Sequence, residues 1–148
     1  METIYDILIR EHKMVADLFQ QAMRDNSRET LLKIKAETDP HMAGEEKLFY
    51  PELEKKEELR DLVNHAYEEH DEARSLMSEL ENMKEGDKNW ASKLKELKES
   101  IEHHVEEEES KVFEEARKAI SQKKAGEIAQ QYLEFKKSFK EQMPASML

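Results

Sequence analysis

Apolar residues recur every three or four positions from Tyr5 to Phe139, and three glycines and three prolines are the only helix breakers in 148 residues. That period returns side chains to one face of an α-helix, whereas a half-buried strand needs strict alternation. Strand signals are absent, and 40 % charged residues rich in Glu, Lys and Leu is the composition of long helices. Five helical segments follow. The first runs from about Thr3 to Asp25, with Thr3 and Asp6 as a capping box and Tyr5, Leu8, Val15 and Phe19 on one stripe. The second, about Ser27 to Lys56, carries Leu31, Ile34, Leu48 and Phe49, with Asp39-Pro40 either starting a fresh helix or kinking a continuous one. The third, about Glu58 to Lys84, turns Val63, Ala66, Met77 and Leu80 inward and ends at Gly86. The fourth, about Asp87 to Gln122, carries Trp90, Leu94, Leu97, Ile101 and Val112. After Gly126 a shorter helix to about Gln142 carries Ile128, Tyr132, Phe135 and Phe139, and PASML reads as a frayed tail. The expected fold is all-α: one domain over residues 1–148, an up-down-up-down four-helix bundle with a short additional C-terminal helix outside it or across one end.

Charge and cysteine content narrow the function. The count of 24 basic against 35 acidic side chains gives −11, which argues against nucleic acid or an anionic membrane as partner and names no protein partner. With no cysteine there are no disulfides, thiolate metal sites or cysteine nucleophiles, and a reducing compartment fits. METIYDILIREHK has no basic segment followed by an apolar run, and no stretch is apolar enough to span a bilayer. The expectation is a cytoplasmic protein.

The histidines carry the chemistry. His12 shares its stripe with Tyr5, Leu8, Val15 and Phe19, and His41 with Ile34 and Leu48. His70 sits among Val63, Ala66, Ala73 and Met77, and His104 follows Leu94, Leu97 and Ile101. All four point inward, one per helix. His103 keeps company with Glu96, Glu99, Glu107 and Ser110, and His65 with Asp61, Glu68, Glu69 and Glu72, so both read as solvated. Of the acidic run, Glu108 is expected inward and Glu106, Glu107 and Glu109 mainly outward.

Two inward histidines have a glutamate one turn later, His41 with Glu45 and His104 with Glu108, a spacing that stacks both side chains on one face. Nine residues after these histidines come Tyr50 and Phe113, so the chain repeats itself: His12 then HMAGE, His70 then HVEEE. A lone inward histidine is usually a hydrogen-bonded core residue. Six polar groups converging on one core are too costly to bury without partners, and a metal supplies them. Six ligands suit one octahedral ion, or two ions ~3.5–4 Å apart bridged by the glutamates, which leaves open positions for a small molecule. Neither the Glu-x-x-His of ferritin-like carboxylate sites nor the HExxH of zinc peptidases is present.

At these residues the chain resembles the hemerythrin-like family, the HHE cation-binding domains. The pattern is a histidine, then H-x3-E followed by Phe49-Tyr50-Pro51, then a histidine, then H-x3-E, and the resemblance covers about residues 1–140. It implies a four-helix bundle around two non-haem iron ions with a bridging oxygen species, held by His12, His41, Glu45, His70, His104 and Glu108. Oxygen-carrying members have a second histidine on the third helix, where this chain has Ala66 and Arg74. The ligand set is more similar to bacterial members implicated in nitric-oxide response and repair of iron centres, which usually add a cysteine-bearing segment. The implied function is binding of O2 or a related diatomic such as NO, for sensing, storage or delivery. The alternatives are a redox enzyme or repair protein acting on NO or peroxide or donating iron, and an iron-responsive regulatory module. No general acid or base beyond the ligands is identifiable. Tyr67 reads as a packed tyrosine with its hydroxyl bonded, a place at the metal being the alternative.

Overall fold

The computed structural model describes residues 1–143, which leaves the PASML tail outside the described residues. Among the described residues there is no strand. Helix α1 (Ile4–Asp25) starts on the expected capping box: the Thr3 hydroxyl accepts from the Asp6 N–H, and the Asp6 carboxylate accepts from the Thr3 N–H at 2.9 Å. Asn26, at φ 49°, ends it in the left-handed conformation. Helix α2 (Arg28–Gly44) is capped by Ser27 and runs through Pro40, so Asp39-Pro40 starts no new helix.

The second and fourth rods are not uniform helices. After α2 comes a π-helical turn, Glu45–Phe49, then α3 (Tyr50–Glu54). A 3₁₀ turn (Glu57–Leu59) leads into α4 (Arg60–Glu81), which ends well before Gly86. Helix α5 (Trp90–Glu107) passes through a second π turn, Glu108–Val112, into α6 (Phe113–Ala119). Helices α1 and α2 pack as one hairpin and α4 and α5 as the other, and α1–α5 and α2–α4 contacts close the bundle.

Helix α7 (Gln122–Glu141) differs from expectation. It is 20 residues long and starts on the Ser121 cap before Gly126, while its place along α1 and α2 is the outer of the two expected positions. Gly126 breaks nothing: it is buried inside α7, and a side chain there would strike Met1.

The apolar interior has two parts. One holds Tyr5, Leu8, Phe49, Tyr50, Phe113 and, from α7, Ile128 and Tyr132. The other holds Val15, Phe19, Leu31, Ile34, Met77, Leu80, Trp90 and Leu97. Each of the four histidine-bearing rods passes from one to the other close to its inward histidine. His12 lies between Leu8 and Val15, and His70 between Ala66 and Ala73. The polar residues therefore form a layer across the bundle, held in place by apolar packing on both sides.

Candidate metal centre

All six sequence-predicted residues are buried and meet in this layer, and Glu45 and Glu108 are fully inaccessible. Their donor atoms fall into two groups, His12, His41, Glu45 and Glu108, and Glu45, His70, His104 and Glu108, each within 4.8 Å. Both glutamates belong to both groups. Glu108 presents Oε1 to His12 Nε2 at 3.2 Å and Oε2 to His104 Nε2 at 3.5 Å. Glu45 Oε1 lies 3.4 Å from His41 Nε2 and 3.1 Å from His70 Nε2. Both carboxylates thus stand between the two groups, as carboxylates shared by two cations would.

The donors also lack other partners. His12 Nε2, both Glu45 oxygens and Glu108 Oε1 are buried and make no hydrogen bond within the chain. Leaving such a group without a partner costs about 1–3 kcal/mol, and cations in this layer would satisfy all four. Neutral imidazole and carboxylate are suitable ligands for iron and other borderline transition metals.

Each imidazole is held from behind by a further carboxylate at Nδ1. His12 is bonded to Glu109 at 2.6 Å, His41 to Glu11 at 2.9 Å, His70 to Glu46 at 2.7 Å and His104 to Glu69 at 2.8 Å. Such partners fix the ring so that Nε2 faces the metal, and they raise its basicity. Burial alone would lower the His41 pKa, but Glu45 and Glu11 outweigh it and push it up to about 10. His104 is driven the same way: Glu108 and Glu69 override burial. Loading the centre must therefore displace protons.

The model of the hemerythrin HHE cation-binding domain matches residues 3–116, which span all six convergent residues. The chain belongs to the hemerythrin HHE family. It is also similar to an uncharacterized hemerythrin-like protein of Schizosaccharomyces pombe, 26% identical over 143 residues that cover 93% of this chain and 70% of the relative. No solved structure matches.

Sequence reasoning missed several parts of this HHE site. Glu109 and Glu107 are not simply solvated: Glu109 holds His12, and Glu107 lies against His65 and His103. The four supporting glutamates share a signature. Each sits beside an inward residue in sequence and serves a histidine on another helix: Glu11 beside His12, Glu46 beside Glu45, Glu69 beside His70, Glu109 beside Glu108. A repeated Glu-His and a repeated Glu-Glu were the signal. Arg74 grips Glu46 through two hydrogen bonds of 2.9 and 3.0 Å, so it acts behind His70, and Ala66 is packed in the core.

The π turns start at Glu45 and Glu108. The Tyr50 N–H bonds the Glu45 carbonyl, and the Phe113 N–H that of Glu108. A π turn takes up one extra residue, so the residue five on, instead of four, comes beneath the glutamate. Tyr50 and Phe113 are thereby turned onto the centre. Phe113 stacks on His12 with ring centroids 6.3 Å apart. Tyr50 packs on His70 and also donates its hydroxyl to Glu108 Oε2 at 2.5 Å. Burial and the charges of Glu108 and Glu45 hold its pKa well above the ordinary phenol value, so it stays protonated. Tyr67, by contrast, packs edge-on against Tyr50 and donates to the Glu46 carbonyl at 3.4 Å.

Helix α7 lies beyond the family match and reaches the centre through Glu11. Tyr132 donates to Glu11 Oε1 at 2.5 Å, and Lys136 pairs with Oε2. Burial would raise the Glu11 pKa, but His41, Lys136 and Tyr132 together lower it to about 2. Gly44 makes the approach possible, because a Cβ there would lie 2.5 Å from Tyr132 Cε2. Replacing a helical glycine with alanine ordinarily stabilises by about 0.5–1 kcal/mol. Here the sign should reverse: Gly44→Ala should destabilise by about 1–3 kcal/mol in denaturant unfolding, through overpacking against Tyr132.

Proposed function

We propose that this HHE domain holds two non-haem iron ions, with the bridging oxygen species that the family resemblance implies, on His12, His41, Glu45, His70, His104 and Glu108. The function that fits is binding of O2 or a related diatomic such as NO, for sensing, storage or delivery. The observation that carries this reading is a cavity of about 40 Å³ against all four histidines, walled by Val15, Met42, Ala73 and Ile101. Its size and apolar walls suit a ligand of two heavy atoms and exclude most metabolites. A bound iron pair supplies coordination positions for such a ligand and electrons for its reduction. The imidazoles, fixed by their carboxylates, hold the donor atoms at the cavity floor. The aromatic residues on the opposite side keep water from the layer.

A second cavity of about 160 Å³ shares His12, Val15, Ile101 and Val105 with the first and extends to exposed Ala16, Glu102 and Glu106. It gives a route between α1 and α5. Ala16→Trp should slow NO association in stopped flow by about tenfold or more with iron content unchanged, whereas an unaltered rate would place the route elsewhere.

The alternative, redox turnover of NO or peroxide, draws support from Tyr50, a protonated hydroxyl on the Glu108 carboxylate and thus a proton source that sequence reasoning did not identify. Adding O2, NO and peroxide in turn to the reduced protein separates the readings. A stable, reversible O2 spectrum supports binding. Multiple turnover of NO or peroxide, slowed by Tyr50→Phe, supports the enzyme instead.

A further inference from the structure

The two histidines that read as solvated face each other across the α4–α5 hairpin. His65 and Glu69 are one turn apart on α4, His103 and Glu107 one turn apart on α5, and one donor atom from each lies within 4.8 Å of all the others. His65 Nε2 is 3.3 Å from Glu69 Oε2 and 3.0 Å from Glu107 Oε2. His103 Nε2 is 3.5 Å from Glu69 Oε2 and 3.3 Å from Glu107 Oε1. Donors around a four-coordinate ion with bonds of about 2.0–2.1 Å sit roughly 3.3–3.4 Å apart, and the four histidine–carboxylate contacts here, at 3.0–3.5 Å, bracket that value.

Exposed acidic clusters are common, and proximity alone would mean little. The deciding feature is Glu69. Its residue is only 8% exposed, its Oε1 is committed to His104 Nδ1, and its Oε2 is buried without a hydrogen bond and aimed into the cluster. A buried carboxylate oxygen without a hydrogen bond, beside a second carboxylate and two imidazoles, is a position that a bound cation would satisfy. Two nitrogen and two oxygen donors select a borderline divalent transition metal over Ca2+ or Mg2+, which take oxygen ligands.

We propose that His65, Glu69, His103 and Glu107 form a surface site for one further divalent ion of the Zn2+ or Co2+ class. The site is separate from the buried centre and joined to it by the Glu69 carboxylate, which serves His104 with one oxygen and the outer ion with the other. The proposal rests on the α4–α5 geometry and is independent of which metal the buried residues hold.

The test is a Co2+ titration of the metal-loaded full chain, followed by visible absorption and by counting ions per chain. One Co2+ should bind beyond the inner complement, give the absorption of a four-coordinate site, be displaced by Zn2+ and resist excess Mg2+. His65→Ala/His103→Ala should lose that equivalent and its absorption. Both side chains are more than half exposed, so the variant should fold, and helical circular dichroism and retained inner metal verify that. Absence of the extra equivalent in the unmodified protein, or its survival in the folded double variant, would overturn the proposal.

Discussion

His104→Ala should strip metal from the buried centre, and His103→Ala should leave it there. Adjacent helical positions diverge by about 100°, so the two rings cannot serve one ion. His104 Nε2 lies 3.5 Å from Glu108 Oε2 and 3.1 Å from His70 Nε2, while His103 is turned to Glu69 and Glu107 at the surface. Removing His104 leaves one cation position with His70 and the shared carboxylates, and frees Glu69 Oε1 from its partner. Loss of a supporting partner alone weakens metal binding about 10–100-fold, and loss of a ligand should exceed that. Iron per chain should therefore fall from two towards one or none, with loss of any O2 or NO spectrum. The reverse pattern, iron lost with His103→Ala and kept with His104→Ala, would contradict the assigned ligand set.

Metal-free protein should melt roughly 10 °C or more below the loaded form. Four buried donor atoms make no hydrogen bond within the chain; even where His12 Nε2 and Glu108 Oε1, 3.2 Å apart, relieve each other, the Glu45 oxygens cost about 1–3 kcal/mol each, and 1 kcal/mol moves the midpoint of a chain this size by about 2–4 °C. The two core clusters are packed without reference to the metal, so the stripped bundle should stay helical while its central layer loosens. Superimposable melts for protein verified metal-free would show that the layer is satisfied some other way. Wholesale loss of helix on stripping would instead favour the iron-responsive module, which folds around its ion.

The helical period alone made the central layer legible, because a residue's neighbours three, four and seven positions away report which face it occupies. That is how His12, His41, His70 and His104 separate from His65 and His103 without coordinates. The supporting glutamates were harder. Glu11, Glu46, Glu69 and Glu109 lie about 100° from an inward neighbour, at the margin of the buried face, where charged residues usually meet water. Their role exists only between helices. The π turns left no mark in composition, since the choice of a fifth over a fourth acceptor is made by packing around Glu45 and Glu108. In sequence Tyr50 is only a flank of the H-x3-E pattern, although a π turn brings it beneath its own glutamate. Gly126 misled in the opposite direction, by looking like a helix break where it is a point of close packing.

The ring of supporting glutamates has an electrical consequence. Together with Glu45 and Glu108 it places six carboxylates around the layer, of which Arg74 neutralises one at Glu46 and Lys136 one at Glu11. With the imidazoles neutral, four negative charges remain on the protein, the number that two divalent cations cancel before the charge of any bridging oxygen is added. The reduced centre would thus be close to neutral, apart from its bridge, in surroundings that screen charge poorly. Each electron removed would then leave an excess positive charge that the bundle cannot disperse. Oxidation should consequently be coupled to uptake of an anion through the apolar cavity or to departure of a proton, with the Tyr50 hydroxyl the nearest phenolic proton to Glu108. If the layer holds iron as proposed, this charge count, more than the identity of the ligands, would tie electron transfer to small-molecule capture.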